Sequence, residues 1–561
     1  MNKITYALLG MAAVVFVGCA DLDYNEASNR DEDWTYNSPL NGVKALVYDV
    51  YAQMPSEFKD DSYGNGALIA SATDESEFAL SFSPIHKYFN GGWTPSNPFS
   101  TTWDRSYRAI TQVHMYLERI HKIDLSDYKY DPDYQTMVQQ FEIFPYELRF
   151  LRTYFYFELV RAYGDVPLVT TTLTNEQANS VERTPAKDVF KFIINELDAV
   201  AEYLPVSYND IPGQEIGRAT RGAALALKAR VLLYQASPLF NTDNNKELWK
   251  EAAAASKVII DNAQRWGYKL SEYAKLWGHD TFTNSEFIFV LGTQASNTYN
   301  YPVGVENGNS GNCPTQALVD AYEYQADGKT FKEKHPGDVD VTTENPYDGL
   351  DPRFELTVVK NGDLWPSNTT QQIAIETYQS GFNGAPKYGA TPTGYYLKKF
   401  VDGNCVTTAN NQTTTRHNWI VMRLAEVYLN YAEAMYNYYG NADEQGDFGM
   451  SANEAINVLR NRPDIMMPEF QGNNGFEERY MRERMVELAF EGQRFWDVRR
   501  WKKGAEFFKN VDVADFKLNG NGNLILNRVT KTRQWNEKYN LYPIPQSEIQ
   551  KNGNLKQNPN W

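Results

Sequence analysis

Between residues 101 and 262, apolar side chains recur at three- and four-residue intervals, the spacing of amphipathic helices. Residues 101–120 open with Thr-Thr-Trp-Asp, a helix start, and place Tyr107, Ile110, Val113 and Leu117 on one face. Residues 147–163 predict an aromatic-rich helix stopped by Gly164. Thr184-Pro185 begins another, with proline at its first position and Val189, Phe192, Ile193 and Leu197 along it. Residues 217–236 are rich in strong helix formers, and 249–260 follow the same pattern. The starts at 147, 185, 217 and 249 fall roughly 32–38 residues apart, near the period of tetratricopeptide-type helix hairpins. Further on, Leu424, Val427, Tyr428, Tyr431, Ala432 and Met435 share one helical face. Met481, Met485, Leu488, Ala489, Phe495 and Trp496 form a second stripe. Both stripes read as core packing, not as cofactor boxes.

Residues 271–415 break the pattern. They are rich in Gly, Asn, Thr, Pro and Tyr, with short strand-like runs such as 286–291. A long irregular insertion of this kind usually carries function. The expected plan is one domain over 41–561, dominated by α-helix with a few short strands. Its helical parts lie at about 101–262 and 416–510, and its loop-rich, ligand-binding lobe at about 271–415.

The N-terminus changes the picture from a plain globular chain to an exported one. Lys3 precedes a mostly apolar run from Ile4 to Val17, of signal-peptide length and too short to span a bilayer. It ends Phe16-Val17-Gly18-Cys19, similar to a bacterial lipobox, with Phe16 where Leu is commoner. Residues 1–18 are the expected signal, Cys19 the expected lipidation site, and 19–40 an acidic tether. Composition is ordinary for a folded chain at 42% hydrophobic and 22% charged, but 38 Tyr, 29 Phe and 12 Trp are an aromatic excess. The formal charge is −17, and loss of Lys3 with the signal leaves −18. That balance disfavours nucleic acid and anionic lipid as partners, because both are met by clustered Lys and Arg. Cys313 and Cys405 fit either one disulfide or two buried thiols.

Catalytic and metal motifs are fragmentary. None of the six His forms a paired helical zinc motif. Gly308-Asn309-Ser310-Gly311 fails as a nucleophile elbow, since residue 312 is Asn. Gly328-Lys329-Thr330 imitates a P-loop end, but Glu323 stands where its upstream Gly belongs. Asp338 and Asp340 begin like a calcium loop but lack its turn glycine at 343, so no cofactor is expected, with a structural calcium in the loops left open. Glu483, Glu487 and Glu491, with Arg484 and Arg494 nearby, read as an ion-pair network on a helix surface.

Five blocks carry a family resemblance. Residues 147–167, ELRFLRTYFYFELVRAYGDVP, resemble the signature helix of SusD/RagB-like lipoproteins. Residues 217–224, GRATRGAA, with Lys228-Ala229-Arg230, are similar to the family's next block. RLAEVYLNYAEA at 423–434 and ELAFEGQRFWDVRRW at 487–501 supply two more. Tyr542-Pro543-Ile544-Pro545, Glu548-Ile549 and Asn558-Pro559 supply the ending. His114 departs from the pattern, standing where Asn is expected. The resemblance implies a tetratricopeptide-like α/α superhelix with an irregular lobe. It also implies a surface-facing outer-membrane lipoprotein that binds glycan and delivers it, unconverted, to a SusC-like TonB-dependent transporter. In a RagB-type branch the ligand is a peptide. A surface glycosidase is the third reading, disfavoured by the missing motifs.

Sugar rings stack their C–H faces on aromatic planes and hydrogen-bond through their rims, which points to loop aromatics beside Asn. Trp93, in Asn90-Gly91-Gly92-Trp93-Thr94, precedes the first long helix, where the family carries glycan-contacting aromatics. Tyr299 and Tyr301 match a second such position, and Trp365 is a third loop aromatic. Asn97 and Asn300 are the expected hydroxyl partners.

Overall fold

The structure is a computed structural model. It describes residues 42–58, 66–98, 100–120, 122–209, 217–277, 283–295, 300–306, 308–365, 372–403, 405, 407–408, 411–412 and 415–561. Cys19, the tether and Tyr299 lie outside the described residues.

The principal helices are α1 (Lys44–Ala52), α2 (Thr102–Ile120), α3 (Tyr134–Tyr163), α4 (Ala186–Ala201), α5 (Arg221–Ala236), α6 (Glu247–Asn262), α7 (Leu424–Tyr439), α8 (Ala452–Arg460), α9 (Phe476–Glu487), α10 (Gln493–Arg500) and α11 (Gln546–Lys551). From α2 to α8 each helix packs against the next. This is the helical, tetratricopeptide-like stacking the sequence period predicts.

Helix α3 is longer than the sequence suggests, because it continues through Pro145. Its second half is apolar on every side, with Leu148, Phe150, Leu151, Phe155, Phe157 and Leu159 fully buried. A helix of that composition belongs at the centre of a domain. Its few charges are paired: Glu147 accepts from Arg218 Nε at 3.0 Å and from the Tyr51 hydroxyl. Thr220 caps α5 by accepting from the Ala223 amide at 3.1 Å, so α5 starts a few residues after the predicted 217.

The second apolar stripe is two helices, not one. Phe490 at φ 61° and Gly492 at φ 73° break the chain between α9 and α10. The turn folds Phe495 and Trp496 back toward the α3 core. The Glu483–Glu491 network is also corrected: it lies in the interior, not on a helix surface. Glu487 is fully buried between Arg353 (2.8 Å), Arg423 (2.7 Å) and Arg462 (3.0 Å). Glu483 pairs with Arg353 and Arg460, and Glu491 with Arg423 and Lys399. Burial opposes ionisation there, but the Arg462, Arg423 and Arg353 guanidiniums hold the Glu487 carboxyl down at about 2.

The irregular lobe is closed at its base by antiparallel strands β2 (Phe287–Ala295) and β4 (Thr415–Arg423), which bring its two ends together. Short strands β1 (Ser76–Phe78) and β3 (Asn312–Pro314) pair in the same way and attach the lobe to the N-terminal region. A long hairpin, β5 (Asn510–Leu518) with β6 (Leu524–Thr532), covers another side of the lobe. The final segment laces the body together. Asn558 Nδ2 donates to the carbonyls of Tyr163 (2.9 Å) and Tyr542 (2.7 Å), and Trp561 Nε1 to Lys538 and Leu541, both at 3.1 Å.

Candidate functional site: an exposed aromatic face over a buried floor

Trp93 is not a presented ring. It is 1% exposed and contacts the rings of Tyr88, Tyr539, Tyr542 and Trp561 at centroid distances of 4.8–5.7 Å. No face of the indole is open to a sugar, because the chain's last residues cover it. The expectation that Trp93 stacks on ligand is therefore corrected: it is a core anchor. Asn97 is exposed nearby, its amide donating to the Gly92 carbonyl at 3.3 Å and its oxygen 3.4 Å from Lys87 Nζ.

Tyr301 and Trp365 come together, but indoors. They are 0% and 3% exposed and meet edge to face at 5.3 Å, in a small core with Cys313, Tyr396 and Cys405. The Tyr301 hydroxyl donates to the Asp402 carbonyl and accepts from the Cys405 amide at 3.0 Å. Asn300 spends its side-chain oxygen on the Asn312 amide (3.0 Å) and on Asn312 Nδ2 (2.9 Å). None of these three presents itself to a ligand as expected; they build a floor. Neither thiol is in a disulfide and both are buried, and burial pushes the Cys313 thiol up to about 12, which leaves it inert.

What the floor supports is an aromatic face the sequence reading missed. Phe82 is 64% exposed, Tyr388 75% and Phe382 51%. Two adjoining loops carry them. The turn bearing Phe82 is pinned by His86, whose ring nitrogens lie 3.0 Å from the Ser81 carbonyl and 3.2 Å from that of Phe78. The loop bearing Phe382 and Tyr388 is tied down by Asn383, which donates to the Val303 carbonyl at 2.8 Å, and by the Ser310 hydroxyl, which donates to the Gly389 carbonyl. Tyr396, from the floor, donates to the Asn383 carbonyl. The loops also touch one another: a side chain built at Gly389 would lie 3.9 Å from both Leu80 and Val303, and one at Gly304 3.1 Å from the Phe382 ring. Lys387 Nζ sits 4.1 Å from the Phe382 centroid and covers one of its faces, so Phe82 and Tyr388 are the freer rings.

Exposed rings held together on adjoining anchored loops make a contact surface rather than scattered single residues. Pinned backbone means little ordering entropy is lost when a ligand arrives. The local signal existed in the sequence: Phe82 lies between serines, Phe382 between Gly and Asn, Tyr388 between Lys and Gly. Trp93 has the same kind of flanks, so flanks alone do not separate a presented ring from one capped by distant chain.

A larger cavity, of about 730 Å³, is lined from segments 206–209, 217–220, 265–268 and 283–290. Among the described residues, no group of three or more His, Cys, Asp or Glu is placed to hold a metal ion. No helix among them is long and apolar enough to cross a membrane.

Similarity to known proteins agrees with this architecture. A family model described as the SusD family matches residues 282–561. A second, described as starch-binding and associating with the outer membrane, matches 22–233. One SusD-like protein of Formosa agariphila is 25% identical over 431 residues, covering 73% of this chain and 72% of its own length. Another from the same organism is 23% identical over 514 residues, covering 86% and 87%. Among solved structures, a SusD-like protein of Bacteroides fragilis superposes with a TM-score of 0.76 at 26% identity, covering 95% of this chain and 99% of that one. A second from that organism, described as a SusD-like carbohydrate-binding protein, has a TM-score of 0.72 at 25% identity, covering 93% and 100%. A laminarin-binding SusD-like protein shares the fold at 22% identity, with a TM-score of 0.63 and coverage of 95% and 100%. From the helical stack through the lobe to the C-terminal clamp, this chain belongs to the SusD/RagB-like family.

Proposed function

We propose that the protein is a non-catalytic, surface-facing lipoprotein that captures glycan at the outer membrane and passes it to a SusC-like TonB-dependent transporter. The observation that carries the glycan reading is the exposed set Phe82, Phe382 and Tyr388 on pinned loops. Flat rings held in the open offer the C–H faces of a sugar an apolar partner, and the surrounding loops offer backbone and side-chain groups to its hydroxyls. Family membership and the Bacteroides fragilis neighbour described as carbohydrate binding support the same assignment. The acidic balance suits a ligand without phosphate or dense negative charge.

Lipid attachment at Cys19 supplies the anchor in this reading. Each buried acyl CH₂ contributes about 0.8 kcal/mol, so several chains hold a soluble body at the bilayer. A Cys19→Ala protein is expected in the soluble fraction; retention in the membrane fraction would remove Cys19 from this role. The ligand class is tested by isothermal titration of the mature protein against panels of oligosaccharides and of peptides. Heat on a glycan and none on peptides is the expected result. Binding confined to peptides would replace the glycan reading with a RagB-type one, and product release from a bound glycan would overturn the non-catalytic assignment.

A further inference from the structure

A second concavity, of about 420 Å³, is lined by none of the three exposed rings. Its volume is in the range of small-ligand clefts, roughly 300–1,000 Å³. Three elements wall it: α2, the segment 167–181, and the C-terminal α11 with the residues after it. The walls are locked together. Tyr107 donates to the Pro167 carbonyl at 2.9 Å, the Thr172 amide to Glu118 at 3.1 Å, and Asn552 Nδ2 to the Val181 carbonyl at 2.8 Å. The cleft is therefore part of the rigid body and not a gap between mobile loops.

His114 stands in its wall, at the position where the family resemblance leads one to expect Asn. The side chain is 3% exposed, and its Nε2 has no hydrogen-bond partner. Burial first, and then the neighbouring Arg152 guanidinium, push the ring down to about 4, while Glu118 and a hydrogen bond to the Thr171 backbone act the other way. At neutral pH the imidazole is uncharged. With its proton on the nitrogen facing the Thr171 backbone, Nε2 is an acceptor without a donor. A buried polar atom left in that state calls for an explanation.

The remaining lining indicates what would supply the donor. Trp103, Tyr107 and Ile110 give an apolar wall, while Thr111, Asn175 and Asn179 set hydroxyl and amide groups around it. The one lysine of the lining, Lys551, is already paired with Glu548 at 2.7 Å, so no free cation waits for a carboxylate or phosphate. We propose that this cleft is a second binding site, for a neutral hydroxylated molecule of mono- to disaccharide size, one of whose hydroxyls donates to His114 Nε2. Because Nε2 is covered by its surroundings, the imidazole turns toward the ligand as it enters.

The site is independent of the aromatic face, and so is its test. Glucose, galactose, mannose and maltose are titrated into the mature protein while the His114 ring is followed by ¹H–¹⁵N NMR, with affinities measured for wild type and His114→Phe. The expected result is saturable movement of the Nε2 resonance by at least one of these sugars, and at least tenfold weaker binding of that sugar in His114→Phe. A ring resonance that none of the four sugars moves overturns the proposal, as does equal affinity in a folded His114→Phe protein. The wild-type resonance decides the matter even where the variant fails to fold. Binding of a sugar that leaves the His114 resonance in place belongs to the aromatic face and overturns this assignment.

Discussion

Replacing Trp93 with alanine would delete an indole packed against four other rings and open a cavity under the C-terminal segment. The expected cost is about 3–5 kcal/mol of stability, read by urea denaturation, with ligand affinity unchanged in the folded fraction. A folded protein of normal stability that has lost its ligand would reinstate Trp93 in the site. Glu487 makes a second test. Glu487→Gln leaves three arginines short of a buried carboxylate, and breaking such a pairing costs about 3–5 kcal/mol. The folded value of Glu487, about 2, lies below its ordinary 4.5, so its contribution is complete above about pH 4.5 and lost as pH falls through 2. Wild type should lose stability over that window, and Glu487→Gln should show a shallower acid slope; identical slopes would contradict the assignment. Neither residue's role was fully legible in the sequence. Helical spacing identified the Glu483–Glu491 group as an ion-pair network, but not that Arg353, Arg423 and Arg462 would enclose it from distant segments. Likewise, nothing near Trp93 announces that Trp561 closes over it.

The long helices were readable because each carries its own periodicity and punctuation, as in α2, α4 and α7. The break between α9 and α10 was not, since the apolar pattern continues across it at helical spacing. Gly492 is its hinge: it adopts φ 73°, and a Cβ there would come within 2.5 Å of the Glu57 carboxylate, which accepts the Ile69 amide at 2.7 Å. Gly492→Ala should therefore lower stability by about 1–2 kcal/mol from the left-handed backbone alone, measured by chemical denaturation. An unchanged midpoint would show that the turn is not fixed by this glycine. The β5–β6 hairpin was also missed. Its signal is the alternation of buried Val511 and Val513 ahead of Asn-Gly-Asn-Gly-Asn at 519–523, overshadowed by the helical blocks before it. In the lobe, the local strings placed Tyr301 and Trp365 in a region of interest, yet their burial follows from loops that close over them.

Across the whole molecule, a helical stack holds a lobe whose ends are clipped by β2 and β4, and the lobe and the 78–83 turn together display three open rings. On the proposed function, these rings, and not the buried Trp93, Tyr301 and Trp365, meet the glycan. Isothermal titration of a binding oligosaccharide into wild type, Phe82→Ala, Tyr388→Ala and the double variant tests it most directly. Each single change should weaken binding by about 1–2 kcal/mol, as for other aromatic anchors, and the double variant should weaken it further with the fold intact by circular dichroism. Full affinity in the folded double variant would contradict the claim.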